Sequence, residues 1–208
     1  MIRLILILTI TFISCFQASA DEYKISASTM LQLTIPEGWQ LAVEPPPKLL
    51  QEMAEHISHD AAEKGYSPTK DQLLDAAQKR LTANEILLYN PQTMANMSID
   101  FSPLRQGERE PSSKSIKLSA KYAGESLEQE EGVSQLNGNS FETQINGARH
   151  AYRYDANYLH HEEKMAFSGI IGFAAPYWFY FYYTDYLHAP ADADRAQQVF
   201  DSIQIINK

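Results

Sequence analysis

The sequence predicts an α+β fold, an α/β/α sandwich in which a mainly antiparallel sheet is flanked by helices. Three observations lead there. Strand-like and helix-like segments come in blocks: strands, two helices, strands, one helix, four strands and a closing helix. The four late strands are separated by turn signals with no room for a crossover helix, so neighbours run antiparallel. Eight of the ten residues in "YWFYFYYTDY", Tyr177 to Tyr186, are aromatic, a density that suits a strand covered on both faces.

The elements follow in order. "EYKISAST" and "MLQLTIP" read as strands, since Leu31, Leu33 and Ile35 alternate with Gln32 and Thr34, the period of a half-buried strand. "PEGW" turns the chain and "QLAV" continues it extended. Leu49, Leu50, Met53, Ile57 and Ala61 keep helical spacing up to Gly65, a stop signal. A second helix is expected with Ser67 as cap, Pro68 at the first helical position and Asp71 in the first turn. "EILLYN" and "ANMSIDFSPL" are strands around Asn90-Pro91. Ile116, Ala120, Ala123 and Leu127 share one side of a third helix, with Gly124 as a weak point. Asn137-Gly138 and Asn146-Gly147 are predicted tight turns. A two-residue loop at the second would pair Gln144 with Arg149 and Glu142 with Ala151. Pro190 opens the last helix and a short extended tail ends the chain.

Folding the aromatic strand back with its turn at Ala175 sets Phe179, Phe181 and Tyr183 on one face with Phe173, Ile171, Phe167 and Met165. Trp178, Tyr180, Tyr182, Thr184 and Tyr186 take the other face, opposite Gly172, Ile170, Ser168, Ala166 and Lys164. The Phe-rich face reads as core. The Tyr/Trp face either packs beneath helices or floors a groove for an apolar or aromatic ligand, because tyrosine and tryptophan suit a wet–dry boundary. The ligand-binding candidates are Trp178, Tyr180 and Tyr182, with Tyr154 on the preceding strand extending the surface.

The first twenty residues have the three-part layout of a secretory leader: Arg3, an apolar run from Leu4 to Phe16, then Ala18-Ser19-Ala20. Cleavage is expected after Ala20, leaving residues 21–208 as one exported domain, periplasmic or secreted, without a membrane anchor. Cys15 is the one cysteine. A lipid there would need a small or aliphatic lead-in, which Phe12-Ile13-Ser14 matches poorly. The mature chain then lacks disulfides, thiolate ligands and a cysteine nucleophile. With 17 basic against 26 acidic residues and a net charge of −9, binding to nucleic acid through its phosphates is not expected.

Chemistry was sought in two histidine clusters. His56 and His59, with Asp60, lie at helical spacing in "HISHD", and His160 and His161 sit with Glu162 and Glu163 in a turn. Either pair offers imidazole to a divalent metal. The spacing differs from the HExxH pattern, and adjacent residues of an extended chain point to opposite faces, so solvated polar surface is the expectation for both. No GxSxG elbow, phosphate-binding glycine loop or GxGxxG occurs. No enzyme and no cofactor is expected.

The apolar strand of "MLQLTIPEGWQL" running into Pro-x-Gly-Trp, and the closing helix and tail "DADRAQQVFDSIQI", resemble the PsbP-like and Mog-like α/β/α sandwich group. The resemblance implies a non-catalytic accessory role with a protein partner, here at a cell-envelope complex. It implies no functional residue. An aromatic ligand groove and a histidine-based metal protein or hydrolase are the rival expectations.

Overall fold

A computed structural model describes residues 20–42, 45–63, 65–82, 86–130, 132–186 and 189–208. The expected leader, Cys15 included, lies outside them. The strands are β1 (Asp21–Lys24), β2 (Thr29–Leu33), β3 (Gln40–Leu41), β4 (Ile86–Tyr89) and β5 (Asn96–Pro103), followed by β6 (Val133–Thr143), β7 (His150–His160), β8 (Glu163–Ala174), β9 (Tyr177–Asp185) and β10 (Gln204–Asn207). The helices are α1 (Pro47–Glu63), α2 (Lys70–Thr82), α3 (Ser113–Glu125) and α4 (Pro190–Ser202). Two antiparallel sheets result, one ordered β1-β2-β10 and one β3-β4-β5-β9-β8-β7-β6. The predicted α+β class holds, with the small sheet sharing one outer layer with α4.

The large sheet separates two cores. On one side Met97, Ile99, Phe179, Phe181 and Ile170 meet Leu31 and Leu33 of β2, Ile205 of β10, and Val199 and Phe200 of α4. Phe179 and Phe181 are 0% exposed, and burying such a side chain is worth about 1.5–3 kcal/mol. On the other side α3 sets Ile116 and Ala120 on Tyr152, Ile171 and Phe173. There α1 sets Leu49 on Leu87 and Met94.

A buried polar knot ties the two ends of the fold together. The Asp192 carboxylate, in the first turn of α4 and 0% exposed, accepts from Trp39 Nε1 at 3.1 Å, Asn90 Nδ2 at 2.8 Å and Thr93 Oγ1 at 2.5 Å. Arg195 adds a longer contact at 3.4 Å. The Pro-x-Gly-Trp turn and the closing helix are thus bonded directly. Burial pushes the Asp192 carboxyl up, but the bonds from Thr93, Asn90, Trp39 and Arg195 outweigh it and hold it below the ordinary carboxylate range.

Four local expectations are corrected. The turn between β8 and β9 uses two residues, Ala175 and Pro176, so Trp178 stands opposite Phe173, Tyr180 opposite Ile171 and Tyr182 opposite Gly169. This one-residue slip moves all of β8 to the other face relative to β9. Phe173, Ile171, Phe167 and Met165 therefore belong with the Tyr/Trp face. Small still meets large, because the Phe179 ring lies where a Cβ on Gly172 would stand. Asn137-Gly138 is no turn but part of β6, where Gly138 makes room for the Tyr154 hydroxyl.

At Asn146-Gly147 a β-turn does form, closed by Ala148 N–H on the Ile145 carbonyl at 3.0 Å. It is not a two-residue hairpin, and Thr143 pairs with Ala151. Ile145 turns into the core and Ile205 N–H bonds the Asn146 carbonyl at 2.8 Å, which holds the loop against β10. At the start of α2, Thr69 caps instead of Ser67: its Oγ1 accepts from Gln72 N–H, while Gln72 Oε1 accepts from Thr69 N–H. That reciprocal pair is a capping box.

Candidate functional site: an aromatic cleft between two helices

Helix α3 is seated by its ends. Ser112 caps it by accepting from Ser115 N–H at 3.2 Å, and Gly124 lets its last turn close onto the ring of Tyr154. The chain then tightens into a 3₁₀ turn, Ser126–Gln129, that buries Leu127. Helix α1 covers β4 on the same side of the sheet. Between the two helices the large sheet is left partly uncovered.

The opening is a cleft of about 470 Å³, within the ~300–1,000 Å³ of small-molecule sites. Its floor is read from the strand register. Tyr158 pairs with Met165, and Phe167 with Thr184, while Tyr182 stands over Gly169. Tyr186 lies beyond the end of β9. Leu49 and Met53 of α1 form one wall, and Ala123 and Leu127 the other. Glu130 and His160 stand among the lining side chains.

Rings run along the floor in sequence. Trp178 stacks beside Tyr180 (centroids 6.5 Å, 13°), Tyr180 lies 6.3 Å from Tyr182, and Tyr182 stacks on Phe167 at 5.8 Å. Burial comes first in pushing the phenols of Tyr158, Tyr180 and Tyr182 up. Glu130 and then Tyr186 add to this at Tyr158, Glu108 and then Asp100 at Tyr180, and Tyr180 and then Asp100 at Tyr182. Burial is thus the main reason that these phenols hold their protons, with the nearby carboxylates adding to it.

Of the four residues expected to bind a ligand, Tyr182 lines this cleft. Trp178 and Tyr180 lie farther along β9, half-buried beside α3. Tyr154 is 5% exposed, its ring against Gly124 and its hydroxyl against Gly138; it seats α3 and has no open face. Among the metal candidates, His160 lines the cleft with its ring centroid 4.4 Å from that of His161. His161 and Glu162 form the two-residue turn, φ +48° and +70°. His56 and His59 fall on α1, but their side chains lie outside what the structure describes. Among the described residues no group of three or more metal-capable side chains assembles. Met165, Phe167, Leu127 and Glu130 were missed as site residues. The alternation beyond Tyr182 was visible, but only the true β8–β9 register puts Phe167 and Met165 beside it.

No family model matches the chain and no curated protein matches its sequence. Among solved structures it is similar to LpqN of Mycobacterium tuberculosis, at 10% identity and a TM-score of 0.50, over 90% of this chain and 91% of that one. LpqN is described as involved in cell envelope biogenesis. A cyanobacterial PsbP, CyanoP from Synechocystis, matches at 13% identity and a TM-score of 0.46, over 94% of this chain and 96% of that one. At these identities the LpqN likeness is one of fold. No helix of the described residues is long and apolar enough to cross a membrane.

Proposed function

We propose that the protein is an exported, PsbP-like accessory protein that works by binding and not by catalysis. Its place is a cell-envelope assembly, and the cleft between α1 and α3 is where it holds its cargo or partner. The observation that carries this is the cleft floored by half-buried Tyr182 and the buried rings of Phe167 and Tyr158, on a sheet whose other face is closed beneath Phe179 and Phe181. The leader-like N-terminus and the fold shared with an envelope-biogenesis protein support the compartment. The Mog-like side of the resemblance plays no part.

The test is native mass spectrometry of the protein purified gently from its host's envelope fraction. A chain beginning at Asp21 that carries a stoichiometric small molecule or partner protein is expected. A chain found in the cytosolic fraction, or one that stays bare even after cross-linking in the cell, sinks the reading.

A further inference from the structure

We propose that the cleft binds a hydrophobic organic cation: a quaternary ammonium head held against tyrosine rings, with its apolar chain laid along the floor. This rests on reading the cleft as the binding element and adds the chemistry of the occupant.

Three features select that chemistry. First, the register puts Tyr158, Met165 and Tyr186 at one end of the cleft and Phe167 and Tyr182 behind them. An alkylated ammonium is drawn to such π faces and needs no hydrogen-bond acceptor, so its dehydration costs less than that of a lysine-like head. Second, among the described residues no Lys or Arg lines the cleft. Lys114, Lys117 and Lys121 of α3 are all exposed, while Glu130 stands in the lining. Among these lining residues a cation finds a carboxylate in Glu130, while an anion finds no lysine or arginine and only the His160 imidazole and neutral donors. Third, Leu49, Met53, Leu127 and Met165 make the remaining surface apolar and adaptable, which suits an alkyl chain better than a hard metal ion.

The experiment titrates the chain from Asp21 onward, which contains every described strand and helix, with three amphiphiles sharing a dodecyl chain. Dodecyltrimethylammonium, dodecyl maltoside and dodecyl sulfate are compared calorimetrically below their micelle concentrations. The cation is expected to bind one per chain, about tenfold or more tighter than the maltoside, with the sulfate weakest. Glu130→Gln, a surface change that leaves the fold intact, should weaken the cation about threefold and leave the maltoside unchanged. Tyr182→Leu, which keeps the bulk and removes the phenol ring, should narrow the gap between cation and maltoside. Equal affinity for cation and maltoside, or an equal loss for both in Glu130→Gln, overturns the inference. The cleft would then be a plain apolar groove and the accessory-binding reading would stand. Binding by none of the three overturns the inference and the cleft's role together.

Discussion

Phe179 and Phe181 point to one side of β9 and are fully buried. Tyr180 and Tyr182, one residue away on the same strand, point to the other side and remain half-buried. The strand is equally aromatic in both directions, so the difference comes from the cover. On the phenylalanine side α4 and the three-stranded sheet close over the rings, and the Tyr183 hydroxyl buried on that same face is satisfied by donating to Asp185 Oδ2 at 2.9 Å. On the tyrosine side α3 covers β7 and β8, α1 covers β4, and the space between them stays open. Phe179 and Phe181 take the fully covered positions, and Tyr180 and Tyr182, with their polar tips, take partly covered ones.

The largest effect should separate these faces directly. Phe181→Ala should cost about 3–5 kcal/mol, and Tyr180→Ala about 1–2 kcal/mol, because the tyrosine gives up less burial. Urea denaturation of both variants checks this, and equal losses would mean the faces are equally closed.

Next in size is the polar knot on the closed side. Asp192→Ala leaves buried donors on Trp39, Asn90 and Thr93 without their acceptor and should cost about 3 kcal/mol. The folded carboxyl is held below its ordinary value, so its contribution is fully present above the unfolded value, near 4, and is lost as pH falls through the folded value. Acid unfolding should therefore steepen below pH ~4 in the natural protein. The slope should be shallower in Asp192→Asn; identical profiles would show that the carboxylate is not held by these bonds.

On the open side the seat of α3 gives a smaller test. Gly124→Ala improves helix propensity by about 1 kcal/mol but drives a methyl into the Tyr154 ring. A net loss of about 1–2 kcal/mol is expected in thermal melts, and a gain would show that the helix does not rest on that ring. The smallest effect uses the two tryptophans, one near each face. With Trp39→Phe, the remaining Trp178 should be quenched readily by acrylamide. With Trp178→Phe, the remaining Trp39, buried against Asp192, should be shielded; equal quenching would erase the contrast between the faces.

Much of the architecture was legible in the chain. Leu49, Leu50, Met53, Ile57 and Ala61 at helical spacing marked α1 up to Gly65, alternation marked β2, and Pro190 marked the start of α4. The errors fall where a local signal met a distant partner. Asn137-Gly138 carries the same turn signal as Asn146-Gly147, yet Gly138 serves the hydroxyl of Tyr154 across the sheet. The β8–β9 turn differs by one residue from its expected length, and that was enough to assign Phe167 and Met165 to the wrong face. Tyr154 reads as one more surface tyrosine until α3 is placed on it. The union of Trp39 with Asp192 spans most of the chain, and nothing in the residues around either announces the other.

By itself the sequence determined which segments are strands and helices, that neighbours in the late sheet run antiparallel, and that aromatic rings occupy both faces of β9. Those properties depend on periodicity and end signals within a few residues. Only the tertiary structure decided the strand register, which face is closed, and which tyrosines share a cleft. A slip of one residue costs nothing in local propensity yet exchanges the faces of a strand, and only packing against α1, α3, α4 and the small sheet selects between the two.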